Sequence, residues 1–589
     1  MKPEILEKRY DVVVVGGGVG GVCAAIASAR TGAYTALIQD RPVLGGNASS
    51  EIRMHIVGAN CHASRPNARE TGILEEILLE NKHRNPNHSF SVLDTVMWEK
   101  TRYQDGLDLY LNTHMFEVER EGGQVNAVIA KQMTTERMFR FAAEIFIDCT
   151  GDGLLSFLAG ASYMTGREGR GVFGEEHAVA ESDAVTMGNS ILFSARDTGR
   201  PVAFEAPFWA NHYTDQDLMG HDKEITSGYW WVEVGGGKTD TIADSEELRD
   251  ELLKIVYGIW DHIKNGGNHG AENYALEWVG FLPGKRESRR ITGAYVLREQ
   301  DLIAGRVFDD AVAYGGWHID SHQQEKFASI GTEQTEDLSV HLKQVYSIPY
   351  RCLYSADVPN LMMGGRLISA SHRAFASTRV MGTCAVVSQA AGTAAAMAVK
   401  AGCRPAEVDV KVLQQILLRD DCYIPGVQNT DPADLARTAE VTASSCTVGG
   451  DCRQAVNGWN RMVGEDANCW ISDGRNPAGD WLRLYFASPV TPKEVRLTFE
   501  SDLSCEIMPS LSKWIQDRQP KRITDELITD YRLVYRLEGK EVGSETVAGN
   551  HLRQRVHSAG GVICDEIRVE IPPVNRCTAC RIYEIRVYA

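Results

Sequence analysis

The spacing of hydrophobic residues changes twice within the first 40 positions. Residues 11–15 are an aspartate followed by four valines, residues 19–31 repeat apolar side chains with helical spacing, and residues 35–39 are a second short stretch with an apolar centre. These patterns predict a strand, an amphipathic helix and a second strand, which together make a βαβ beginning. The chain is therefore expected to start with an α/β domain.

Strand and helix patterns continue less regularly as far as residue 160 and become strong again at residue 361. The stretch between them is rich in Gly, Trp, Tyr and His, which suits an inserted α+β domain that faces a substrate. The elements predicted in these regions are a helix at 73–81, strands at 107–121, 124–132, 138–149 and 229–234, and helices at 383–401 and 413–418.

The last part of the chain has a different pattern. Residues 424–432 have the composition of a turn and linker, and short alternating strands follow, among them 481–486, 494–499, 565–571 and 581–588. This pattern predicts a separate all-β sandwich of the jelly-roll kind. The predicted domains are the first part of the α/β domain at 1–160, the inserted domain at 161–350, the last part of the α/β domain at 351–425 and the sandwich at 433–589.

Length, net charge and cysteine content limit the kinds of protein and partner that are expected. With 589 residues and 43% hydrophobic content, the chain is long enough for several buried cores. Its formal net charge of −18 disfavours nucleic acid or an anionic membrane as a general partner. The first ten residues are polar, and neither a signal peptide nor a membrane span is predicted. Fourteen scattered cysteines fit a reduced, cytoplasmic protein, or a periplasmic one if a signal peptide has been removed, and the oligomeric state stays open.

Gly16, Gly18 and Gly21 lie between the first strand and the first helix. Without side chains, they let backbone N–H groups and the positive end of the helix face a pyrophosphate. An acidic residue usually closes the second strand of such a unit and accepts the ribose hydroxyls. Here Gln39 occupies that position and Asp40 follows it, so either the Gln39 carbonyl accepts one hydrogen bond or Asp40 reaches the ribose.

Five ordered segments resemble the FAD-dependent oxidoreductase family found in many bacterial sugar-degradation gene sets. They are residues 16–21, 42–50, 148–153, 284–290 and 363–396, and the similarity spans roughly residues 8–420. The family is similar in fold to the glutathione-reductase-like flavoproteins. The resemblance implies FAD as cofactor, a Rossmann-type FAD-binding domain and an inserted substrate domain, with substrates that are mostly undefined.

The resemblance also implies which residues contact FAD. Gly45 and Gly46 are expected beside the ribityl chain, with small donors after them, although a purely structural loop would have the same composition. Asp152 is expected at the nucleotide half, as the cap of the following helix, or in both roles. The predicted cofactor-binding residues are Gly16, Gly18, Val19, Gly20, Gly21, Gln39, Asp40, Arg41, Gly45, Gly46, Asn47, Ser49, Ser50, Thr150, Gly151, Asp152, Gly365, Arg366, Met381 and Thr383.

A long Ala/Gly-rich helix is predicted to begin near Thr383. The resemblance implies that its N-terminus points at the pyrimidine edge of the isoalloxazine, where the helix dipole stabilises negative charge in the reduced flavin. Arg379, four residues upstream, adds a fixed positive charge in this interpretation and otherwise pairs with a carboxylate.

Oxidation of an alcohol needs a base close to the hydroxyl, and histidine suits this role. His372 lies between two segments assigned to the flavin, and His318 lies in a Gly- and aromatic-rich loop of the inserted domain. Both are candidate catalytic bases, and His55 and His62 are further candidates. Each of them is also compatible with an orienting or packing role.

Two other clusters have alternative interpretations. His318, Asp320 and His322 alternate as metal ligands would in an extended loop, but no further ligand is evident and no metal site is predicted. Three arginines within residues 286–290 either bind an acidic group on a substrate or pair with acidic side chains, and the second is favoured.

The β domain loosely resembles the discoidin-like jelly-roll modules appended to carbohydrate enzymes, on the basis of residues 457–460, Trp470 and Trp481. The predicted function is an FAD-dependent dehydrogenase or oxidase that transfers hydride from a carbohydrate or related polyhydroxylated substrate, small or oligomeric, to flavin N5. One alternative is transient oxidation that drives glycoside cleavage, elimination or isomerisation with no net redox change. Another is a glycan-binding protein with a vestigial flavin domain.

Overall fold

The structure is a computed structural model that describes residues 5–218, 224–322, 339–573, 575 and 577–589. It divides into two compact units that alternate along the chain. Unit 1 comprises the described residues of Met1–Cys61, Asn87–Leu413 and Met508–Gln519, and unit 2 those of His62–Pro86, Gln414–Ile507 and Pro520–Ala589.

A mixed seven-stranded sheet forms the centre of unit 1. Five of its strands pair in parallel, and the two strands that complete it at one edge pair antiparallel. The strand order is β3 (Leu107–Tyr110), β2 (Thr35–Ile38), β1 (Ile5–Val15), β6 (Met138–Asp148), β5 (Gln124–Gln132) and β4 (Thr113–Glu121), with β16 (Leu361–Met363) beside β6.

The parallel strands end at one edge of the sheet because their registers are aligned. Val15 pairs with Ile38 on one side and with Asp148 on the other, and Met363 pairs with Asp148. The loops that follow these strands therefore leave the sheet side by side, where ligands bind in open α/β folds.

The helices of unit 1 pack around this sheet or belong to the inserted region. They are α1 (Val19–Arg30), α3 (Phe90–Arg102), α4 (Leu154–Leu158), α5 (Arg170–Phe173), α6 (Ser245–Asp261), α7 (Glu299–Ile303), α8 (His372–Thr378), α9 (Met381–Ala401) and α11 (Lys513–Arg518), while α10 (Val410–Arg419) crosses from the residues of unit 1 to those of unit 2.

Helices α1 and α9 pack closely because small residues line both of them. A Cβ on Gly392 would lie 2.0 Å from the carbonyl oxygen of Ala24, so only glycine permits this approach. By length and composition α9 could cross a membrane, but 89% of its most apolar window is buried inside the protein, as expected of a core helix.

The inserted region adds short strands and a second core. Phe193, Tyr229 and Trp260 are buried there, between a three-stranded sheet and α6. The additional strands are β7 (Tyr163–Met164), β8 (Asn189–Ser190), β9 (Phe193–Asp197), β10 (Ser227–Gly228), β11 (Tyr274–Val279), β12 (Gly284–Lys285), β13 (Arg290–Ile291), β14 (Ala311–Gly315) and β15 (Tyr346–Pro349).

Unit 2 contains two antiparallel sheets whose inward residues form one hydrophobic core that includes the fully buried Trp470. One sheet has the order β17 (Glu440–Ala443), β19 (Asp480–Val490), β24 (Cys564–Ile571), β21 (Tyr531–Leu537) and β22 (Lys540–Val547), and the other the order β18 (Trp470–Ile471), β25 (Arg581–Tyr588), β20 (Glu494–Phe499) and β23 (Gln554–Ser558). Helix α2 (Ile73–Arg84) also belongs to this unit.

Several predicted elements differ from the structure. The strand predicted at 229–234 is wrong: Tyr229 has φ 67° and its carbonyl accepts a hydrogen bond from Val232 N (2.8 Å), which makes a turn despite the aromatic composition. The strand predicted at 107–121 is interrupted at Asn112, whose φ is 52°. The long helix begins at Met381, two residues before the predicted start.

The predicted domain boundaries also differ from the two units. Residues 62–86 belong to unit 2 because Arg69 forms an ion pair with Glu75 and donates to the carbonyl oxygen of Asp502. Residues 508–519 belong to unit 1, where Ser227 Oγ donates to the carbonyl oxygen of Leu511 (2.5 Å). Such distant pairings leave no local pattern in the sequence.

Candidate cofactor and substrate site

Unit 1 encloses a cavity of about 490 Å³ at the carboxyl edge of the parallel strands. Its wall combines the loops after β1, β2 and β6 with residues 282–286 and the segment that leads into α9. The predicted residues that line it are Gly16, Gly18, Val19, Gly20, Gly21, Gln39, Asp40, Arg41, Gly45, Gly46, Asn47, Thr150, Gly151, Asp152, Gly365, Arg366, Arg379 and Met381.

The glycines after β1 are required by close backbone contacts. Gly16 has φ +102°, and a Cβ there would lie 2.2 Å from the carbonyl oxygen of Cys149. A Cβ on Gly21 would lie 1.8 Å from the carbonyl oxygen of Gly16. Gly18 differs, since a Cβ there would have no heavy atom within 4 Å and would project into open space. The loop is thus tightly packed on the protein side and open on the other.

Two helix N-termini face this cavity without a side-chain cap. Gly18 precedes α1 and Val380 precedes α9, and neither helix donates a capping hydrogen bond to a side chain at that position. The first-turn N–H groups of a helix need an acceptor from outside the helix, and anions fill this need well. The residues present therefore fit a dinucleotide with a phosphate at α1 and an electron-rich group at α9.

Gln39 supports the glycine loop. Its Oε1 accepts a hydrogen bond from Gly17 N (2.7 Å), its Nε2 donates to the carbonyl oxygen of Val43 (3.1 Å), and the residue is 2% exposed. Asp40 is about half exposed, lines the cavity and lies 3.7 Å from Arg41. Of the two acceptors considered for the ribose, the geometry favours Asp40.

Asp152 joins two cations at the cavity wall. Its carboxylate accepts hydrogen bonds from Lys285 Nζ (2.7 Å) and Arg366 Nη2 (3.1 Å). Burial opposes ionisation, but these two cations lower the pKa of Asp152 below its ordinary value. The idea that Asp152 caps the following helix is wrong, because Leu154 N donates to Thr150 Oγ1 instead (2.9 Å).

Three predicted cofactor residues lie outside the cavity wall. Ser49 Oγ donates to the carbonyl oxygen of Gly46 (2.7 Å), and Ser50 N donates to Asp94, so both residues stabilise the loop itself. Thr383 is fully buried within α9, and its Oγ1 has no hydrogen-bond partner in the part of the chain that the structure describes.

His372 also lies outside the cavity wall, in a closed ionic cluster. Its Nδ1 lies 3.0 Å from Glu287 Oε1, and its backbone N donates to Glu168 (2.8 Å). Arg290 pairs with both of these carboxylates and is fully buried. Although burial raises the pKa of Glu287, His372 and Arg290 outweigh it and lower that pKa. With a residue exposure of 4%, His372 is placed as an orienting residue and not as a base facing the cavity.

His318 is likewise placed away from the cavity wall. Its ring contacts that of Trp317 at a tilt of 32° with 4.6 Å between centroids, and its Nε2 lies 4.0 Å from Asp320. His62, a further candidate, belongs to unit 2, where its Nδ1 lies 3.0 Å from Glu506. Neither histidine takes the position that was expected of a base.

His55 lines the cavity and is 7% exposed. Its ring meets Trp230 edge-on with 6.0 Å between centroids, and its Nδ1 lies 3.5 Å from Ser510 Oγ. Gly382 N donates to the carbonyl oxygen of Val57 (2.9 Å), which fixes this segment beside the first turn of α9. Among the described histidines, His55 and His114 line the cavity.

Two arginines at the same end of the cavity are linked by a buried ionic chain. Glu233 lies 3.4 Å from Arg286 Nε and 2.7 Å from His322 Nδ1. His322 Nε2 lies 2.9 Å from Asp320, which lies 3.2 Å from Arg379 Nη2. Arg286 and Arg290 of the arginine cluster pair with carboxylates, whereas Arg289 Nη1 donates to the backbone carbonyl oxygen of Asp152 (2.9 Å). His322 lies between two acids.

The charges of this chain stabilise one another. Burial would raise the pKa of Glu233, but Arg286 and His322 lower it to about 2. The pKa of Asp320 is lowered in the same way by His322 and Arg379. Burial lowers the pKa of His322, yet Glu233 and Asp320 raise it above its ordinary value. Burial lowers the pKa of Arg379 as well, and Asp320 opposes this effect.

Sequence reasoning missed Trp230, Lys285 and Ser190 as cavity residues. Lys285 comes directly after Gly284 in a segment that was assigned to the cofactor, so its position was a usable signal. Trp230 follows Tyr229, whose left-handed backbone redirects the chain, and no composition rule predicts that turn.

One cavity is lined by the glycine loop after β1, by Gly45 and Gly46, and by the N-terminus of α9. This combination defines the class of dinucleotide-binding flavoproteins. Residues 11–417 match the model of the FAD dependent oxidoreductase family, and the chain belongs to this family. FAD is the cofactor that this membership indicates, and the residues described above fit it.

No curated protein matches the chain by sequence. Among solved structures, the chain is similar to a Streptococcus pneumoniae fucose binding module, SpX-3, with 14% identity over 26% of this chain and 97% of that chain and a TM-score of 0.21. It is also similar to the lectin domain of Lectinolysin complexed with Lewis B antigen, with 13% identity over 27% and 98% of the two chains and a TM-score of 0.20. Similarity at this level says nothing about what this chain binds.

Proposed function

We propose that this FAD-dependent oxidoreductase oxidises a hydroxyl-bearing carbon of a carbohydrate or related polyhydroxylated substrate, with His55 as the proton acceptor. The observation that carries the proposal is the position of His55 and Trp230 on the cavity wall next to the start of α9. When bound, FAD supplies a ring that accepts a hydride equivalent. The residues of the chain supply the rest of the chemistry.

The proposed roles follow from the positions of the side chains. His55 removes the hydroxyl proton as the C–H bond is broken, since an imidazole is an effective base near neutral pH. Arg379 and the first turn of α9 stabilise the negative charge that develops beside them. The indole of Trp230 offers an apolar surface to a sugar ring. Arg286 donates hydrogen bonds to Ser190 Oγ and to the carbonyl oxygen of Trp230, and it also lines the cavity.

The test is anaerobic mixing of the FAD-loaded protein with sugars, polyols and uronates, while the flavin absorption band is recorded. We expect at least one of these compounds to bleach the band. In His55→Gln the rate of bleaching falls about 10²- to 10⁴-fold with FAD still bound. His114→Gln is the matched control, because His114 lines the cavity next to Thr113 and Met115 and not beside Trp230.

Two results would reject this function. If no compound in these classes bleaches the flavin, the substrate assignment fails. If substrate reduces the flavin of His55→Gln as fast as that of the unaltered protein, His55 is not the base. Product formed without any electron acceptor would favour transient oxidation with no net redox change.

A further inference from the structure

Asp215, His262 and His269 bring three potential ligand atoms together outside the cofactor cavity. His262 Nε2 lies 3.1 Å from Asp215 Oδ1 and 3.0 Å from His269 Nε2. His269 Nε2 lies 3.9 Å from the same Asp215 oxygen. The residues come from a loop before α6 and from the segment that follows it, so no sequence motif unites them.

These distances suit a metal ion. The point equidistant from the three atoms lies about 2.0 Å from each of them, which matches the Zn–N and Zn–O distances of protein sites. An ion slightly outside the plane of the three atoms would keep a fourth position for water. That position is accessible, because the Asp215 side chain is 69% exposed.

The second ring nitrogen of His262 has the partner that is expected of a metal-binding histidine. Its Nδ1 lies 3.1 Å from the carbonyl oxygen of Tyr213, and since a carbonyl only accepts, Nδ1 carries the hydrogen. A carbonyl partner for one ring nitrogen is the usual arrangement of a metal-binding histidine, and Nε2 is then the nitrogen that faces Asp215 at 3.1 Å.

The local backbone makes room for both rings. A π-helix at His262–Gly266 follows α6, and such segments occur frequently at functional sites. A Cβ on Gly266 would lie 2.7 Å from His262 Nδ1, and a Cβ on Gly267 would lie 2.9 Å from His269 Nε2. Two consecutive glycines are therefore needed to seat the two rings.

We propose that Asp215, His262 and His269 bind one Zn²⁺ ion that joins the loop before α6 to the end of this helix. Ser245, the first residue of α6, lines the cofactor cavity, and the 17 residues of the helix separate it from His262 by about 26 Å. The ion lies far from the reacting atoms and has a structural role. The proposal is independent of the substrate and of the flavin chemistry.

The same ligand set also occurs with open positions in non-haem iron enzymes. There the open positions serve a reaction, whereas the three residues of this cluster are not part of the cofactor cavity wall. Zinc is therefore the ion to which the proposal commits, and ferrous iron becomes an outcome of the test.

The experiment uses the FAD-loaded full chain, freed of metal with a chelator and titrated with Zn²⁺ against a chromophoric competitor. We expect one ion per chain, and Co²⁺ in its place should give the visible absorption of a tetrahedral site. His269→Gln and Asp215→Asn should weaken Zn²⁺ binding more than about 100-fold, since loss of a direct ligand costs more than loss of an outer-shell partner. Zn²⁺ should raise the midpoint of thermal unfolding of the unaltered protein but not that of either variant.

His212→Gln is the matched control, because His212 belongs to the same loop and its side chain is 81% exposed. It should bind Zn²⁺ like the unaltered protein. Retention of the flavin absorption band by each variant shows that unit 1 remains folded. Absence of one-to-one Zn²⁺ binding, equal binding by the two ligand variants and the unaltered protein, or selective binding of Fe²⁺ would overturn the proposal.

Discussion

The two ends of the cofactor cavity are built in different ways. At the nucleotide end the wall is largely backbone, with Gly16, Gly18 and Gly21 leading into α1. At the other end the wall is made of side chains from distant segments, among them His55 and Trp230. Backbone conformation controls the first end, and long-range packing and ion pairs control the second.

This difference determines what a substitution does. At Gly16 and Gly21 of the nucleotide end, an added Cβ meets fixed backbone, so even one carbon is decisive. At the substrate end, each charged group is held by a partner from another segment, so removal of one group leaves the charge of another buried and unpaired. We therefore expect Gly16 and Gly21 to tolerate no added volume, and the ionic chain at the second end to tolerate no loss of charge.

The largest effect is expected for Gly16→Ala. Alanine disfavours φ +102°, and its Cβ would lie 2.2 Å from the carbonyl oxygen of Cys149. We expect a loss of about 3 kcal/mol or more in the free energy of unfolding and FAD affinity reduced more than about 100-fold. Flavin absorbance after dialysis and thermal unfolding measure the two effects.

Gly18→Ala separates folding from cofactor binding. The φ of Gly18 is −62°, and its Cβ would meet no heavy atom of the protein within 4 Å. The variant should therefore unfold like the unaltered protein and bind FAD more weakly, because the methyl group occupies space on the cavity side. If Gly16→Ala stayed yellow and stable, the nucleotide end would not be controlled by its backbone.

A smaller effect, with a defined pH dependence, is expected for His322→Gln. Glu233 and Asp320 raise the pKa of His322 in the folded protein despite its burial. The protonated ring therefore contributes stability that is fully present below about pH 6.5, the ordinary histidine pKa, and is lost as pH rises through the raised pKa. The variant should be about 1.5–3 kcal/mol less stable at pH 6, and this deficit should shrink at high pH.

Unfolding by denaturant between pH 6 and pH 9 checks this expectation. His212→Gln is a suitable comparison, since its side chain is 81% exposed and 3.6 Å from Asp261. A deficit that stayed constant with pH, or grew as pH rose, would show that His322 is not held in its charged form. The ionic chain between Arg286 and Arg379 would then need a different assignment of protons.

The two ends also differ in how far the sequence predicts them. The glycine spacing lies within six residues and follows one strand, so local rules were sufficient to place the glycine loop on the cavity wall. Residues 45–46 and 150–152 were found through the family resemblance, because their order along the chain is distinctive. The sequence could not show that Ser49 and Ser50 lie outside the cavity wall. The side of this loop that faces the cavity depends on its packing, which includes the hydrogen bond from Ser50 N to Asp94.

The substrate end could not be derived in this way. His372 is close to the cofactor segments along the chain, but three charged residues, Glu168, Glu287 and Arg290, hold it in a closed cluster. No local sequence pattern distinguishes His55 from His62. The two residues belong to different units because the chain passes from unit 1 to unit 2 between them. Proximity in sequence was a poor guide where partners come from several segments.

The smallest expected effect tests the one position where the nucleotide end departs from its usual pattern. Gln39 uses its Oε1 for Gly17 N, which a glutamate would keep, but a glutamate would lose the Nε2 donor to the carbonyl oxygen of Val43. Gln39→Glu should therefore lower FAD affinity about 2- to 10-fold through the loop that this residue supports. Asp40→Asn should weaken FAD about 2- to 10-fold, because Asp40 is the exposed carboxylate that can reach a ribose hydroxyl. Equilibrium dialysis of FAD gives both numbers. A large gain in affinity for Gln39→Glu, with no change for Asp40→Asn, would place the ribose at residue 39 and would mean that a side chain, and not the backbone alone, controls this end of the cavity.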